Sequence, residues 1–242
     1  MDRTTRTNAE RRISSIFGRY RTAQTTDSAM MAALSDGKLY ELFVLSQTLR
    51  LLNSRGFGLR FVGSPAPAGT AGALHSTLKF KGGPGMIKST DSHFELLSPG
   101  TGVLRYRLFL NIEFDTLSHS RVSLLRRGGL TDDSRRHELD IIVTTATSGY
   151  PKHSEIAFGV ECKAEAHFGK DIVKETLGVR REMCLLPPKP LRTLLSREGT
   201  AIRHYVPANP ASEFFLVAVD PKVKNYKAGP AVFGIGLINL VP

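Results

Sequence analysis

The sequence predicts an α/β domain, and three observations carry that prediction. Leu42, Leu45, Leu49 and Leu52 recur at spacings of three and four, the period of a helix packed on one face. Two segments rich in apolar and β-branched residues, His137 to Val143 and Phe158 to Ala164, lie a hairpin's length apart and read as buried strands. A second amphipathic stretch follows them, and then another short apolar run from Phe214 to Val219. Strands and helices therefore alternate around what should be a central sheet.

Taken in order, residues 1–35 form a basic N-terminal arm with some helix, since Ile13, Ile16 and Phe17 have helical spacing. The helix from Lys38 to Asn53 follows, and Gly56 stands where a helix C-terminal stop is expected. Phe57 to Val62 alternates as a strand, and the Gly/Pro/Ala stretch from Gly63 to Ala73 is loop. Further strands are expected at Thr77–Lys81, His93–Leu97 and Arg105–Leu117. In the last of these, simple alternation puts Tyr106, Leu108, Leu110, Ile112 and Phe114 on one face. Arg107, Phe109, Asn111, Glu113 and Asp115 take the other.

A polar link from Gly128 to Arg136 leads into the Asp140 strand. Beyond the second strand, a helix is expected over roughly Gly169 to Leu186. Its buried side is Ile172, Val173, Leu177, Val179, Met183 and Leu186, and it is ended by Pro187, Pro188 and Pro190. Residues 187–211 are a loop-rich excursion, and Val232 to Val241 is a last strand. No linker divides the chain, so residues 1–242 are expected to form one domain, with 63–135 as its main elaboration.

Composition narrows the function classes. No apolar run approaches the roughly 20 residues that span a bilayer, and Met1 to Tyr20 is polar and arginine-rich rather than signal-like. Two cysteines are too few for a disulfide framework, and the seven histidines lack HxH or HExxH spacing, which speaks against zinc. A cytoplasmic setting is expected, with no membrane partner. The net charge of +11 favours polyanions, nucleic acid above all. Arg3, Arg6, Arg11, Arg12, Arg19 and Arg21 crowd the N-terminus. Arg121, Arg126, Arg127, Arg135 and Arg136 precede the Asp140 strand. Those last four arginines, with Lys170, Lys174, Arg180 and Arg181 of the following helix, are the candidate phosphate contacts.

The chemistry-bearing residues are Asp140 on one strand and Glu161 and Lys163 on the next. Alternation directs Glu161 and Lys163 to one face and Cys162 to the other. Two carboxylates and a lysine suit a hard divalent cation and the stabilisation of charge developing on a phosphate. Glu41 lies at the edge of the leucine stripe, either as a boundary residue reaching water or as a carboxylate aimed into the same site. The bland alternative makes Glu161 and Lys163 an ion pair at a sheet edge. It leaves charged groups amid apolar strands, where unpaired charge is costly.

The order helix with Glu41, strand, strand with Asp140, strand with Glu161-x-Lys163, helix, strand resembles the PD-(D/E)xK nuclease superfamily, over about residues 36–63 and 137–219. Leu139 stands where the family name has proline. The resemblance implies a restriction-endonuclease-like core, a mixed central β-sheet flanked by helices, with a β-rich insertion before the catalytic Asp strand. It implies that Asp140 and Glu161 bind Mg²⁺, with Mn²⁺ able to substitute, and that Lys163 orients or activates the attacking water. Glu41 would support the metal or its water shell. The activity implied is that of a metal-dependent DNA endonuclease, with a prokaryotic defence or mobile-element role resting on analogy. Two alternatives stay open: a nucleic-acid-binding module dormant without a partner or ligand, and a structure-specific resolvase acting as a homodimer.

Overall fold

A computed structural model describes residues 1–20, 33–63, 83–125, 130–200 and 203–242. Helix α1, Arg3–Phe17, is capped by Asp2, whose carboxylate accepts the Thr5 N–H at 2.8 Å. It is a core helix rather than an arm: Ala9, Ile13, Ile16 and Phe17 are buried against helix α2, Asp36–Ser54, and Phe17 stacks on Phe94. Ser35 caps α2, and Gly56, at φ 92°, occupies the left-handed position expected just past its end.

Strands β1, Gly58–Val62, β2, His93–Leu97, and β3, Leu104–Asp115, run antiparallel in succession. Helix α3, Leu117–Leu125, leads towards β4, Arg136–Thr144, which pairs antiparallel with β3. β5, Ile156–Lys163, pairs antiparallel with β4. Helix α4, Lys170–Met183, then crosses over. After it come a two-residue strand β6, Leu191–Arg192, the short helix α5, Leu194–Arg197, and β7, Tyr205–Val206, which pairs with β6. β8, Glu213–Ala218, joins β5 in parallel. Helix α6, Ala228–Val232, precedes β9, Ile235–Asn239, which joins β8 in parallel. The result is a mixed seven-strand sheet in the order β1-β2-β3-β4-β5-β8-β9. The segment read as an elaboration thus supplies β2 and β3 to the main sheet.

Each face of the sheet carries its own core. On one, α1 and α2 cover Phe94, Leu108, Leu110, Ile141, Val143 and Val160. On the other, Val179 and Met183 of α4 pack with Phe109, Ile112, Phe114, Leu139, Ile142 and Leu216. These memberships correct the expected alternation of β3. Tyr106, Leu108 and Leu110 do share a face, but Ile112 and Phe114 lie on the opposite one. The reason is Asn111, whose φ of 51° takes the backbone out of the extended region and resets which way side chains point. β4 reverses with it: Leu139 and Ile141, two residues apart, belong to opposite cores. The pairs Leu110↔Ile141 and Ile112↔Leu139 place the two reversals, Asn111 and Asp140, directly across from one another.

Two further expectations change. α4 stops at Met183, because Leu185 turns away to exchange backbone hydrogen bonds with Asn209; Leu186 is therefore exposed rather than part of the buried stripe. The strand expected at Thr77–Lys81, like Arg21, Arg126 and Arg127, lies outside the described residues. Among the described residues, no helix is long and apolar enough to cross a membrane.

Candidate active site

The site forms where two neighbouring strands part. The β4–β5 ladder runs from Thr144 only to Ile141↔Val160. Beyond it, Arg136 to Leu139 stay paired with β3, and Glu161 to Lys163 stay paired with β8. Asp140 and Glu161 are the first residues past the split. Asp140 ties the diverging strands together, its Oδ2 accepting the Cys162 backbone N–H at 2.6 Å. The opening is a cavity of about 630 Å³ lined by Glu138, Asp140, Glu161 and Lys163 from the strands and by Glu175 and Arg181 from α4, among others.

Alternation acts as expected on β5. Cys162 packs against the core beneath α2, while Gly159, two residues before Glu161, lies under Leu139 and Met183 on the α4 side. The packing is close: a Cβ at 159 would sit 2.9 Å from Leu139 Cδ1, so that side chain would have to shift to admit it. Glu161 and Lys163 share that face, and Lys163 Nζ reaches Glu175 of α4 at 3.4 Å. Glu175 is therefore a residue of the cavity. Its partner is Lys163, whereas Asp171 pairs with Lys174 at 3.0 Å.

The electrostatics are those of a crowded acidic pocket. Burial pushes the Asp140 carboxyl up to about 7, and Glu41 and Glu138 nearby add to the shift, against the Cys162 hydrogen bond. Glu161 is driven well above the ordinary range, first by burial and then by Asp140. Burial also raises Glu138. Burial opposes the Lys163 ammonium, but Glu161, Glu175 and Asp140 outweigh it and hold its pKa above the usual value. Glu138 went unrecognised in the sequence. Its signal was its place two residues before Asp140 in the same strand.

Glu41 is held on the other side of the sheet by its own helix. Both its carboxylate oxygens accept from Lys38 Nζ, at 2.9 and 2.8 Å, and the same ammonium donates to Asn111 Oδ1 at 3.1 Å. Among the described residues, no group of three or more acidic, histidine or cysteine side chains converges closely enough to hold a metal. Of the five carboxylates that line the cavity, Asp140 and Glu161 are the pair that stands at the split between the strands, and Glu41 acts on Asp140 through charge. A pair of carboxylates is the usual protein contribution to a Mg²⁺ site, in which waters complete the coordination. Burying both with one lysine for compensation leaves negative charge that a divalent cation would neutralise.

The candidate phosphate contacts separate. Arg181 lines the cavity and is exposed, and Lys170 and Lys174 are exposed on α4. Arg136 is engaged with Asp115 at 3.1 Å and stacks over Tyr150, and Arg135 is partly buried beside it. Arg180 is not a surface residue. It is 2% exposed, and its guanidinium donates to Phe233 O, Ser212 Oγ and Ser212 O. It falls four residues after Thr176 and four before Cys184, on the buried stripe of α4, and is consumed there as structural glue. Comparison with family models, curated proteins and solved structures yields no match for this chain.

Proposed function

We propose that this chain is a metal-dependent DNA endonuclease of the restriction-endonuclease-like kind. The observation that carries the reading is the convergence of Asp140, Glu161 and Lys163 in one cavity at the split between β4 and β5. Asp140 and Glu161 would hold Mg²⁺ or Mn²⁺. A cation so held supplies Lewis acidity and neutralises charge on the phosphate. Lys163, kept charged by its acidic neighbours, donates to the attacking water or to a phosphate oxygen. Glu175 holds that ammonium in the cavity until substrate arrives. Arg181 at the cavity wall and Lys170 on α4 take the DNA backbone through phosphate contacts.

The direct test is supercoiled plasmid incubated with the purified chain in Mg²⁺, Mn²⁺ or EDTA, beside Lys163→Ala. Cleavage that needs metal and is absent in the variant supports the reading; wild-type rates in the variant sink the site assignment. A second reading draws on two ion pairs. Lys163 is tied to Glu175 and Glu41 to Lys38, so both groups are occupied by neighbours. That is the arrangement of a dormant nucleic-acid-binding module that a partner protein or ligand switches on. It is favoured if plasmid stays intact while salt-sensitive DNA binding persists.

A further inference from the structure

Asn111 combines four properties. It is the only non-glycine among the described residues with positive φ, at 51°. Its side chain is fully buried, in the middle of a central strand. Its Oδ1 accepts from Lys38 on α2, and its Nδ2 is buried with no hydrogen-bond partner. It also stands opposite Asp140 in the ladder, where both strands reverse their faces. Each property carries a cost or a constraint. Left-handed backbone is best served by glycine, and an unpaired buried amide donor is unfavourable. If only the turn of the chain mattered, glycine would do it without the orphaned N–H. What the amide adds over glycine is its acceptor oxygen, and that oxygen has one partner, the Lys38 ammonium.

Lys38 has three donor protons, and its three acceptors are Asn111 Oδ1 and the two oxygens of Glu41. The ammonium is thus seated between a rigid strand and a helix carboxylate. Glu41, through that ammonium, is thereby tied to the strand position directly across from Asp140. A chain of four groups therefore links the kink in β3 to the carboxylate at the strand split. Resting on the nuclease reading, we propose that Asn111 is a positioning residue: it seats Lys38, which sets Glu41 against the Asp140 side of the metal site.

Two variants separate this from a purely structural role. Asn111→Gly keeps or eases the left-handed backbone and removes the amide. Asn111→Asp restores an acceptor for Lys38, and aspartate tolerates the same conformation. Three quantities are read for each: the Lys38 ammonium signal in a lysine-selective NMR spectrum, Mg²⁺ affinity by isothermal titration, and cleavage kinetics. The expected result is that Asn111→Gly melts within a few degrees of wild type, loses the protected Lys38 signal and binds Mg²⁺ several-fold more weakly. Its kcat falls about tenfold or more with KM for DNA nearly unchanged, as for misplacement of a site group without loss of binding. Asn111→Asp recovers the Lys38 signal and part of the rest. Unchanged Lys38 signal, Mg²⁺ affinity and kcat in a stable Asn111→Gly overturn the proposal. A wild-type chain that never cleaves overturns the nuclease reading instead, and the NMR and Mg²⁺ arms still decide the role of Asn111.

Discussion

Asp140 Oδ2 accepts the Cys162 backbone N–H at 2.6 Å, across the point where β4 and β5 separate. One carboxylate therefore braces the split and, in the proposed reaction, ligates the cation. Asn at position 140 keeps an acceptor oxygen for the brace but has no negative charge. Asp140→Asn is expected to fold normally and lose at least 100-fold in metal-dependent kcat, while Asp140→Ala is less stable than Asp140→Asn by about 1–2 kcal/mol because the Cys162 N–H is orphaned. Urea unfolding beside plasmid cleavage separates the two effects.

Stability should fall as pH rises through the site's titration. The Asp140 carboxyl moves from 3.8 to about 7 on folding. Between those values the folded chain holds a proton that the unfolded chain has released, so the favourable contribution is complete below about 4 and lost by about 7. At pH 8, Asp140→Asn should be more stable than wild type by on the order of 2–4 kcal/mol, and the gap should close near pH 4. Mg²⁺ should recover stability for wild type at pH 8 and not for the variant, by about 2.7 kcal/mol at a hundredfold excess over Kd. Thermal melts across pH, with and without metal, give all of these comparisons.

Neighbouring arginines of α4 should behave oppositely. Arg180→Ala removes three hydrogen-bond donations, two of them buried, and leaves a hole, so a loss of about 3 kcal/mol or more is expected. Arg181→Ala should leave the melting temperature almost unchanged. Its DNA affinity should drop, with the slope of log K against log salt shallower by about one. Differential scanning calorimetry and fluorescence anisotropy across salt concentrations check the pair.

The Arg55–Glu213 ion pair is buried at 2.7 Å, with Thr193 donating to the same carboxylate and Arg55 Nη2 meeting His204 Nε2 at 2.9 Å. This network fastens the 187–211 segment to the end of α2 and the start of β8. Arg55→Met is expected to cost about 3–5 kcal/mol, because Glu213 is left charged and buried. The double variant Arg55→Met, Glu213→Leu should recover much of that loss. Denaturant titration of the single and double variants measures it, and residual cleavage by the folded fraction should stay at wild-type level.

Helices α2 and α4 and the paired acids were legible in the sequence because each is a local pattern; α3, α5 and α6 are short and carry no stripe of that kind, and were not read. The leucine stripe of α2 has helical period, and Asp140 and Glu161 each interrupt an apolar run. The reversal at Asn111 was not legible. Nothing in Leu110-Asn111-Ile112 announces positive φ inside a strand, and the alternating pattern reads smoothly through it. Glu175 was missed because its partner, Lys163, lies across a helix–strand crossing rather than one turn away. Arg180 was misread for a different reason: arginine on an amphipathic helix is usually exposed, and here it lies one turn beyond Thr176 on the buried side. Parallel pairing of β8 with β5 depends on how the crossover closes, which no local run encodes.

β5 pairs antiparallel with β4 and parallel with β8. This has a consequence for how the molecule assembles. Asp140 and Glu161 sit on a single hairpin, whose closure spans little chain, whereas the parallel partner arrives only after α4 and the whole 187–211 excursion have been threaded back. Loop closure favours the shorter contact first. The acidic centre is then outlined by a locally formed unit, and the C-terminal strands dock later as its backing. No described residue of the excursion lines the cavity, so insertions or exchanges there leave the two carboxylates at the split undisturbed.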